Sequence, residues 1–332
     1  MLKKSLLLGL AAGFALVTGA LAADPVKIVY IGKNTGNPYF DSITGGFEDA
    51  CKSLGCEFEF VAPATAEATS QIPFIEAQIQ RGVNVIAIAP NSPDALNQVL
   101  DSAKAKGILV LTVNGDLTGN ETHRDATILP TDFSKVGADQ VEMVGSLIGY
   151  EGEIAILSAT TEAPDQNKWI VGMNETLKSD PKYAKMTLVA TVYGDDQPEK
   201  STTEMEALLS NFPNLKGVIA PTTVGIAAAT QVVQSRGIAS TVHVTGLGLP
   251  SEMRDFVKDG TVTAFQLWSP YNEGWLAAHF AVGVLGGTIK NEVGGTFDVP
   301  NLGTKTIDPL NSINTQAGLT TFDAKNIDEF SF

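Results

Sequence analysis

Short apolar runs alternate along the chain with stretches in which apolar residues recur at helical spacing. The apolar runs are VKIVYIG, FEFVAP, VNVIAIAP and GILVLTVNG in the first half, and GEIAILSA, MTLVATVYG, LKGVIAP and TVHVTGLG in the second half. Helices are predicted between the runs at 40–54, 71–81, 95–106, 168–177, 203–211 and 226–236. Because apolar strands that alternate with helices are typical of parallel sheets covered on both faces, the pattern predicts an α/β fold.

The two halves of this pattern share their spacing. The run that ends at Pro90 precedes Gly115 by 25 residues, and the run that ends at Pro221 precedes Gly246 by the same 25 residues. An Ala-rich helical stretch lies in each interval. Such an internal repeat predicts two similar, doubly wound parallel-sheet domains.

Polar and aromatic residues follow the first apolar run, in the segment KNTGNPYF at 33–40. In open α/β sheets, ligands bind beyond the carboxyl ends of the strands. Two such domains that face each other would bring their strand-end loops into one cleft. The loops are 33–40, 91–95, 114–116, 160–169, 222–225 and 247–250. We therefore expect 33–40 to form part of a binding wall shared by both domains.

Several of these residues also have a structural interpretation. Asn37 and Asn114 are each followed by a residue that favours turns. Tyr39 and Phe40 could be core residues at the start of a helix, and Asp165 could cap the helix that follows it. The sequence alone leaves both interpretations open, although their joint position at strand ends favours binding.

Sequence signatures of catalysis are absent from the chain. It contains no GxSxG elbow, no phosphate-binding P-loop, no HExxH motif and no GxGxxG after the first run. The acidic loop residues have no sequence-visible partner for acid–base chemistry; they are Asp116, Asp165, Asp195 and Asp196. Carboxylates, amides and lysine can instead bind the hydroxyls of a small polyol, while aromatic rings cover its apolar face. The residues therefore predict a binding protein without a cofactor rather than an enzyme.

The N-terminus indicates an exported soluble protein, and the net charge indicates a well-solvated surface. Lys3 and Lys4 precede an apolar stretch at 5–17, and small residues follow it. This order predicts a signal peptide over 1–23, cleaved near Ala22 or Ala23, and the apolar stretch is short for a membrane span. The net charge of −15 argues against nucleic-acid and anionic-membrane partners.

The chain has two cysteines, Cys51 and Cys56. An exported compartment permits a disulfide, and a bridge across the turn between a helix and the next strand is plausible at this spacing. Two small buried thiols are the alternative. Two cysteines and three isolated histidines make no zinc-site pattern, so we expect no metal site.

From about Lys27 to Phe332 the chain resembles the type I periplasmic solute-binding proteins of sugar ABC importers. NPYF at 37–40 resembles the sugar-stacking motif of the ribose-binding members. Further segments resemble the rhamnose-binding proteins and the related autoinducer-2 receptors; they are ILSATTEAPDQNKWI, ATVYGDD, VIAPTTVG, VTGLGLPSEM and NIDEFSF. The resemblance implies a ligand cleft between two lobes, a hinge and docking on a membrane permease.

The resemblance to autoinducer-2 receptors also extends to individual ligand-binding positions. Lys33, the Asp165-Gln166 pair and Pro221 match the receptor positions. Asn114 stands where the receptors have aspartate, although Asp116 lies nearby, and Thr223 stands where they have alanine. An amide is a weaker acceptor than a carboxylate and can also donate, so these differences favour the sugar-binding branch. The full predicted ligand-binding set is Lys33, Asn37, Tyr39, Phe40, Asn114, Asp116, Asp165, Gln166, Pro221, Thr223 and Trp268.

The resemblance implies a monomeric periplasmic binding component that delivers a rhamnose-like sugar to an ABC importer. An autoinducer-2 receptor for uptake or signalling is the alternative; a sugar-modifying enzyme and a structural exported protein are more distant ones. The implied first lobe covers 24–130 and about 266–292, and the second covers 131–265 and about 293–332. Hinge strands are expected near 129–132, 264–269 and about 288–299. Trp268, at the second crossing, could line the pocket or pack the hinge.

Overall fold

The computed structural model describes residues 24–332, so the predicted signal peptide lies outside the described residues. The first lobe begins with β1 (Lys27–Ile31), α1 (Pro38–Leu54), β2 (Glu57–Val61), α2 (Ile72–Arg81), β3 (Val85–Ile88), α3 (Asn97–Ala105), β4 (Leu109–Val113) and β5 (Ala126–Leu129). The second lobe follows with α4 (Phe133–Ile148), β6 (Glu151–Ser158), α5 (Pro164–Ser179), β7 (Lys185–Tyr193), α6 (Pro198–Asn211), β8 (Leu215–Ala220), α7 (Thr223–Arg236), β9 (His243–Gly246), α8 (Pro250–Lys258) and β10 (Ala264–Leu267). The last elements are α9 (Pro270–Leu285), β11 (Thr296–Val299), β12 (Gly303–Thr306), β13 (Ser312–Asn314) and β14 (Thr320–Asp323). Short 3-10 helices lie at Glu121–His123, Pro181–Tyr183 and Ile327–Glu329.

Each lobe is built on a parallel sheet. The strand order is β13-β5-β4-β3-β1-β2 in the first lobe and β7-β6-β8-β9 in the second, and all neighbours in both sheets are parallel. The predicted fold of two doubly wound parallel-sheet domains is therefore confirmed. Among residues 24–332, no helix is long and apolar enough to cross a bilayer.

Both faces of the first sheet are buried, as its nearly continuous apolar strands require. Along β1, Ile28 and Tyr30 join the core under α1 and α9, whereas Val29 and Ile31 join a second core under α2 and α3. The side chains of a strand point alternately to its two faces, so one apolar run supplies both cores. The sheet is therefore packed on both faces, and its carboxyl edge carries the loops beyond it.

The last 40 residues are distributed differently from the sequence analysis, which placed about 293–332 in the second lobe. β13 pairs with β5, so residues 312–314 belong to the first sheet, while β11 and β12 form a two-stranded sheet of their own. β14 alone among the last strands joins the second lobe, through pairing with β10, which is bridged to that lobe's sheet at Leu247 and Gln266. The third crossing thus lies between β13 and β14 instead of near 288–299. The sequence pattern missed it because β13 is a three-residue edge strand without a long apolar run.

The end of α1 is tied to the next strand. A disulfide links Cys51 in the last turns of α1 to Cys56, one residue before β2. Between them Gly55 adopts the left-handed conformation with φ 73°, and its N–H donates to the Cys51 carbonyl. Glycine terminates helices in this way because it has no Cβ to clash. The bridge therefore closes a turn that the backbone already defines.

The helices α1 and α9 pack at very short range. A Cβ atom at Gly46 would lie 2.0 Å from the Tyr271 carbonyl oxygen, and one at Gly274 would lie 2.0 Å from the Ile43 carbonyl oxygen. Any side chain at either position would force the helices apart. This contact holds the first turn of α9 against the first turns of α1, where the cleft begins.

We predict that Gly46→Ala destabilises the protein by about 1–3 kcal/mol, because the added methyl group meets backbone that cannot move independently. Gly45→Ala is the matched control: its Cβ would lie 3.8 Å from the Tyr271 ring, an ordinary contact. Alanine also favours the helix by roughly 1 kcal/mol over glycine, so the control should be neutral or stabilising. Urea unfolding of both variants is the measurement, and equal stability of the two would contradict the close-packing explanation.

Candidate functional site

The carboxyl ends of both sheets face a buried cavity between the lobes. The structure brings ten of the eleven predicted residues to it: Lys33, Asn37, Tyr39, Phe40, Asn114, Asp165, Gln166, Pro221, Thr223 and Trp268. Five further residues complete the lining: Trp169, Asp196, Thr222, Leu247 and Leu267. The space open to the centre of a water-sized sphere is about 40 Å³. The cavity is therefore lined by both lobes.

An ion pair joins the lobes across this cavity. Lys33 follows β1, and its Nζ donates to both carboxylate oxygens of Asp165 at 2.8 and 3.0 Å. Gln166 Oε1 lies 3.4 Å from the same nitrogen. All three residues are buried, and Asp165 lies in the first turn of α5, where the helix dipole stabilises a negative charge. The pair presents charged hydrogen-bonding groups in a site from which water is largely excluded.

Asn37 also connects the lobes. Its Oδ1 accepts a hydrogen bond from the Tyr39 backbone N–H at 3.0 Å and so caps α1. The same oxygen accepts from the Thr223 hydroxyl at 3.2 Å, in the first turn of α7 in the second lobe. The two interpretations that the sequence left open for Asn37 therefore coexist, since one atom caps a helix and lies in the cleft.

The Tyr39 hydroxyl is the centre of a buried polar network. It lies 2.6 Å from Asn114 Oδ1 and 2.6 Å from Glu273 Oε1, and Trp268 Nε1 donates to it at 2.5 Å. Asn114 adopts a left-handed conformation with φ 74°, which asparagine tolerates better than most residues. That turn directs the residue after β4 toward Tyr39. Tyr39 is therefore both a buried core residue and part of the cavity lining.

Aromatic rings form one side of the cavity. The Trp169 and Trp268 rings meet edge to face with centroids 5.7 Å apart, and Phe133 lies 5.0 Å from Trp169 and 6.2 Å from Trp268. Trp268 therefore lines the cavity and packs the crossing between the lobes at the same time. Phe40 packs edge to face on Tyr39 at 5.6 Å and lines the cavity beside it.

Asp116 is the one predicted residue that the structure does not bring to the cavity. Its two carboxylate oxygens accept from Arg124 Nε and Nη2, each at 2.6 Å. It also accepts from the Thr112 hydroxyl and the Leu117 backbone N–H. A carboxylate with four donors is fully engaged, so its role here is structural. The expectation that Asp116 lines the site is therefore corrected.

Sequence reasoning missed two acidic residues near the cavity. Asp196 lines it, accepts from the Thr222 hydroxyl, and is buried; burial is the main cause that raises the pKa of its carboxyl above the usual range. Its sequence signal was the DD pair in the loop that follows β7. Glu273 lies behind Tyr39 with no exposed surface. A charged residue in the first turn of the apolar helix α9 was its only sequence signal.

Known proteins share the fold of this chain and part of its sequence. Residues 28–289 match the family described as "Periplasmic binding protein domain". A solute-binding protein of an ABC transporter from Clostridium phytofermentas, solved with bound L-rhamnose, is 34% identical with a TM-score of 0.87, over 92% of this chain and 98% of that one. LsrB from Clostridium saccharobutylicum in complex with AI-2 has the same TM-score of 0.87 at 22% identity, over 92% of this chain and all of that one. At that identity the second likeness shows the fold alone.

Curated relatives share less sequence. The D-allose-binding periplasmic protein of Escherichia coli is 27% identical over 80% of this chain and 86% of its own length. The xylose/arabinose-binding protein XylF of Sulfolobus acidocaldarius is 24% identical over 75% of this chain, and the match spans 64% of that protein. These relatives are named for different sugars.

We predict that Asp116→Asn lowers the free energy of unfolding by about 3–5 kcal/mol, because it leaves the Arg124 guanidinium buried without a full counter-charge. The Arg124 side chain is only 1% exposed. Asp101→Asn is the control, since its pair with His123 is more than half exposed on the carboxylate side and should be worth under about 1 kcal/mol. Urea unfolding compares the two. If Asp116→Asn changes the free energy of unfolding only slightly but abolishes sugar binding, Asp116 belongs to the binding site.

Proposed function

Since the chain belongs to the periplasmic binding protein family, as the match over residues 28–289 shows, we propose that it is the sugar-binding component of an ABC importer. It captures a small, neutral, rhamnose-like sugar between its lobes and presents it to the membrane permease. The observation that carries the proposal is the buried cavity in which the Lys33–Asp165 pair lies together with the Trp169 and Trp268 rings. A relative that is 34% identical and holds L-rhamnose supports the sugar class.

The lining suits a deoxysugar chemically. Lys33 supplies donors, while Asp165, Gln166 and Asp196 supply acceptor oxygens for hydroxyl groups. The Trp169 and Trp268 rings offer flat apolar surface for the C–H face of the sugar ring. A deoxysugar also carries a methyl group, and Leu247 and Leu267 give that group an apolar contact.

Capture requires the lobes to move. The lining residues Lys33, Asp165 and Trp268 are buried, and the Lys33–Asp165 and Asn37–Thr223 contacts join the lobes across the cavity, so a ligand has no path in while they are closed. Three crossings connect the lobes, after β5, after β10 and after β13. A hinge motion at these crossings would admit the sugar, and its hydroxyls would take over part of the Lys33–Asp165 hydrogen bonding on closure.

An autoinducer-2 receptor is the second candidate. Lys33, Asp165, Gln166 and Pro221 line the cavity, and these are the positions that match that receptor type. Asn114 and Thr223 count against it, because both line the cavity and both depart from that pattern. The sugar proposal therefore takes precedence over the receptor proposal.

The remaining expectations are consistent with this proposal. The relatives are named as binding proteins, and the chain binds its substrate without turnover. Export to the periplasm follows from the family, while cleavage near Ala22 or Ala23 stays a prediction about residues outside the described part. The monomeric state also stays a prediction.

We predict that the mature protein is stabilised by L-rhamnose or another small sugar in a thermal-shift screen with D-allose, D-ribose, D-xylose and autoinducer-2, borate being left out. A ligand at 100 times its Kd stabilises by about 2.7 kcal/mol, a readily visible shift.

Asp165→Ala should weaken binding of the active sugar about tenfold or more, because it removes a charged hydrogen-bond partner. Asp101→Asn, far from the cavity, is the control. Stabilisation by autoinducer-2 alone would favour the receptor proposal. If no compound stabilises the protein, both the sugar proposal and the receptor proposal are wrong.

A further inference from the structure

Two oxygen atoms lie within hydrogen-bond distance of the Tyr39 hydroxyl, which has only one proton to donate. Asn114 Oδ1 and Glu273 Oε1 each lie 2.6 Å from it, and Trp268 Nε1–H donates to it. A hydroxyl donates one proton and can accept two hydrogen bonds. The indole N–H can only donate, and an amide oxygen can only accept. With the Asn114 amide oxygen toward Tyr39, as the structure places it, both 2.6 Å contacts are hydrogen bonds only if Glu273 carries a proton and donates it to Tyr39, which then donates to Asn114.

The surroundings of Glu273 favour this neutral form. The residue has no exposed surface and lies at the tight contact between α9 and α1. Burial raises the pKa of Glu273 well above its usual range, and the charge of Asp165 adds to the effect. The polar hydrogens of Tyr39 and Trp268, which would stabilise an ionised carboxylate, and the charge of Lys33 oppose it. Tyr30 on β1 is the other titratable group on this side. The strands β4 (LVLTV) and β5 (ATIL), which also pack on α9, carry no titratable side chain.

We propose that Glu273, as a neutral acid, is a positioning residue that donates to Tyr39 and thereby turns the Asn114 amide so that its N–H group faces the ligand. The assignment rests on the proposed sugar-binding function. Asn114 lines the cavity, and within residues 24–332 its Nδ2 donates to no protein group. Its oxygen is occupied by Tyr39, so its free hydrogen-bonding group is a donor. A hydroxyl or ring oxygen of the sugar would therefore accept a hydrogen bond at Asn114.

The polar network around Tyr39 lies behind the cavity wall. Glu273 does not line the cavity; it acts through the Tyr39 hydroxyl, which does. The short α1–α9 contact at Gly46 and Gly274 sets the distance between the helices that carry the two residues. Loss of the Glu273 proton would place two acceptors against one hydroxyl and release Asn114 from its orientation.

The first test measures thermal stability of the unliganded protein from pH 5 to pH 9 for wild type and Glu273→Gln. A folded-state pKa above the unfolded value gives stability that is fully present below the unfolded pKa and is lost as pH rises toward the folded pKa. Glutamine has no such dependence, so the melting temperature of the variant relative to wild type should rise with pH. Exposed Glu76→Gln is the control and should show no such trend. The infrared band of a protonated carboxyl group at pH 7, absent in Glu273→Gln, is the direct readout.

The second test measures L-rhamnose binding by calorimetry at pH 7. Glu273→Gln can still donate to Tyr39 through its amide, so it should keep the Kd within about threefold, whereas Glu273→Leu should weaken binding about tenfold, the value of one lost hydrogen bond. Asn114→Asp, which replaces the donor by an acceptor, should weaken it at least as much.

The outcomes separate the two proposals. A pH trend in Glu273→Gln equal to that of Glu76→Gln, with the carboxyl band unchanged, means that Glu273 is ionised and overturns the inference. Equal affinity of Glu273→Leu and wild type for L-rhamnose overturns its positioning role. If the wild type binds no sugar in the screen, the proposed function fails, and the pH and infrared measurements on unliganded protein still decide the protonation of Glu273.

Discussion

The buried ion pair between Lys33 and Asp165 is the interaction on which the arrangement of the two lobes depends. Its partners come from different lobes and are 3% and 2% exposed, so both charges are desolvated only when the lobes are together. Removal of two charges from water costs several kcal/mol for each ion, and their attraction roughly offsets that cost when the geometry is good. Here both carboxylate oxygens are engaged and the α5 dipole assists. The pair therefore fixes how the lobes meet while adding little net free energy to their closure.

This balance suits a site that must open. A large apolar interface would lock the lobes together, whereas a polar contact can exchange its partners for water or for sugar hydroxyls. The Asn37–Thr223 hydrogen bond has the same character, since it joins the first turns of α1 and α7 across the cleft. The apolar contribution comes instead from Trp169, Trp268 and Phe133, which pack against one another beside the crossings and are buried.

Close helix packing builds the other half of the wall. Gly46 and Gly274 allow α1 and α9 to approach at backbone distance, which brings Glu273 against the Tyr39 hydroxyl. Tyr39 is then held from three directions, and Asn114 takes its orientation from Tyr39. The hydrogen bonds of a buried polar network strengthen one another, so the geometry of one helix contact is transmitted to the cavity surface.

The sequence by itself determined the two-domain α/β fold and most of the cavity lining. Continuous apolar strands need helices on both faces, and the loops at the carboxyl ends of parallel strands meet, so Lys33, Asn114 and Thr223 were predictable from their place after β1, β4 and β8. Only the tertiary structure decided which polar groups pair. Asp116 stood two residues from Asn114 in the sequence, but Arg124 captures its carboxylate away from the cavity. Glu273 lies more than 230 residues from Tyr39, on a helix that is buried on most sides and so lacks a clear amphipathic pattern. The pairing of distant polar side chains depends on helix approach and local dihedral angles, and hydrophobic periodicity carries no information about either.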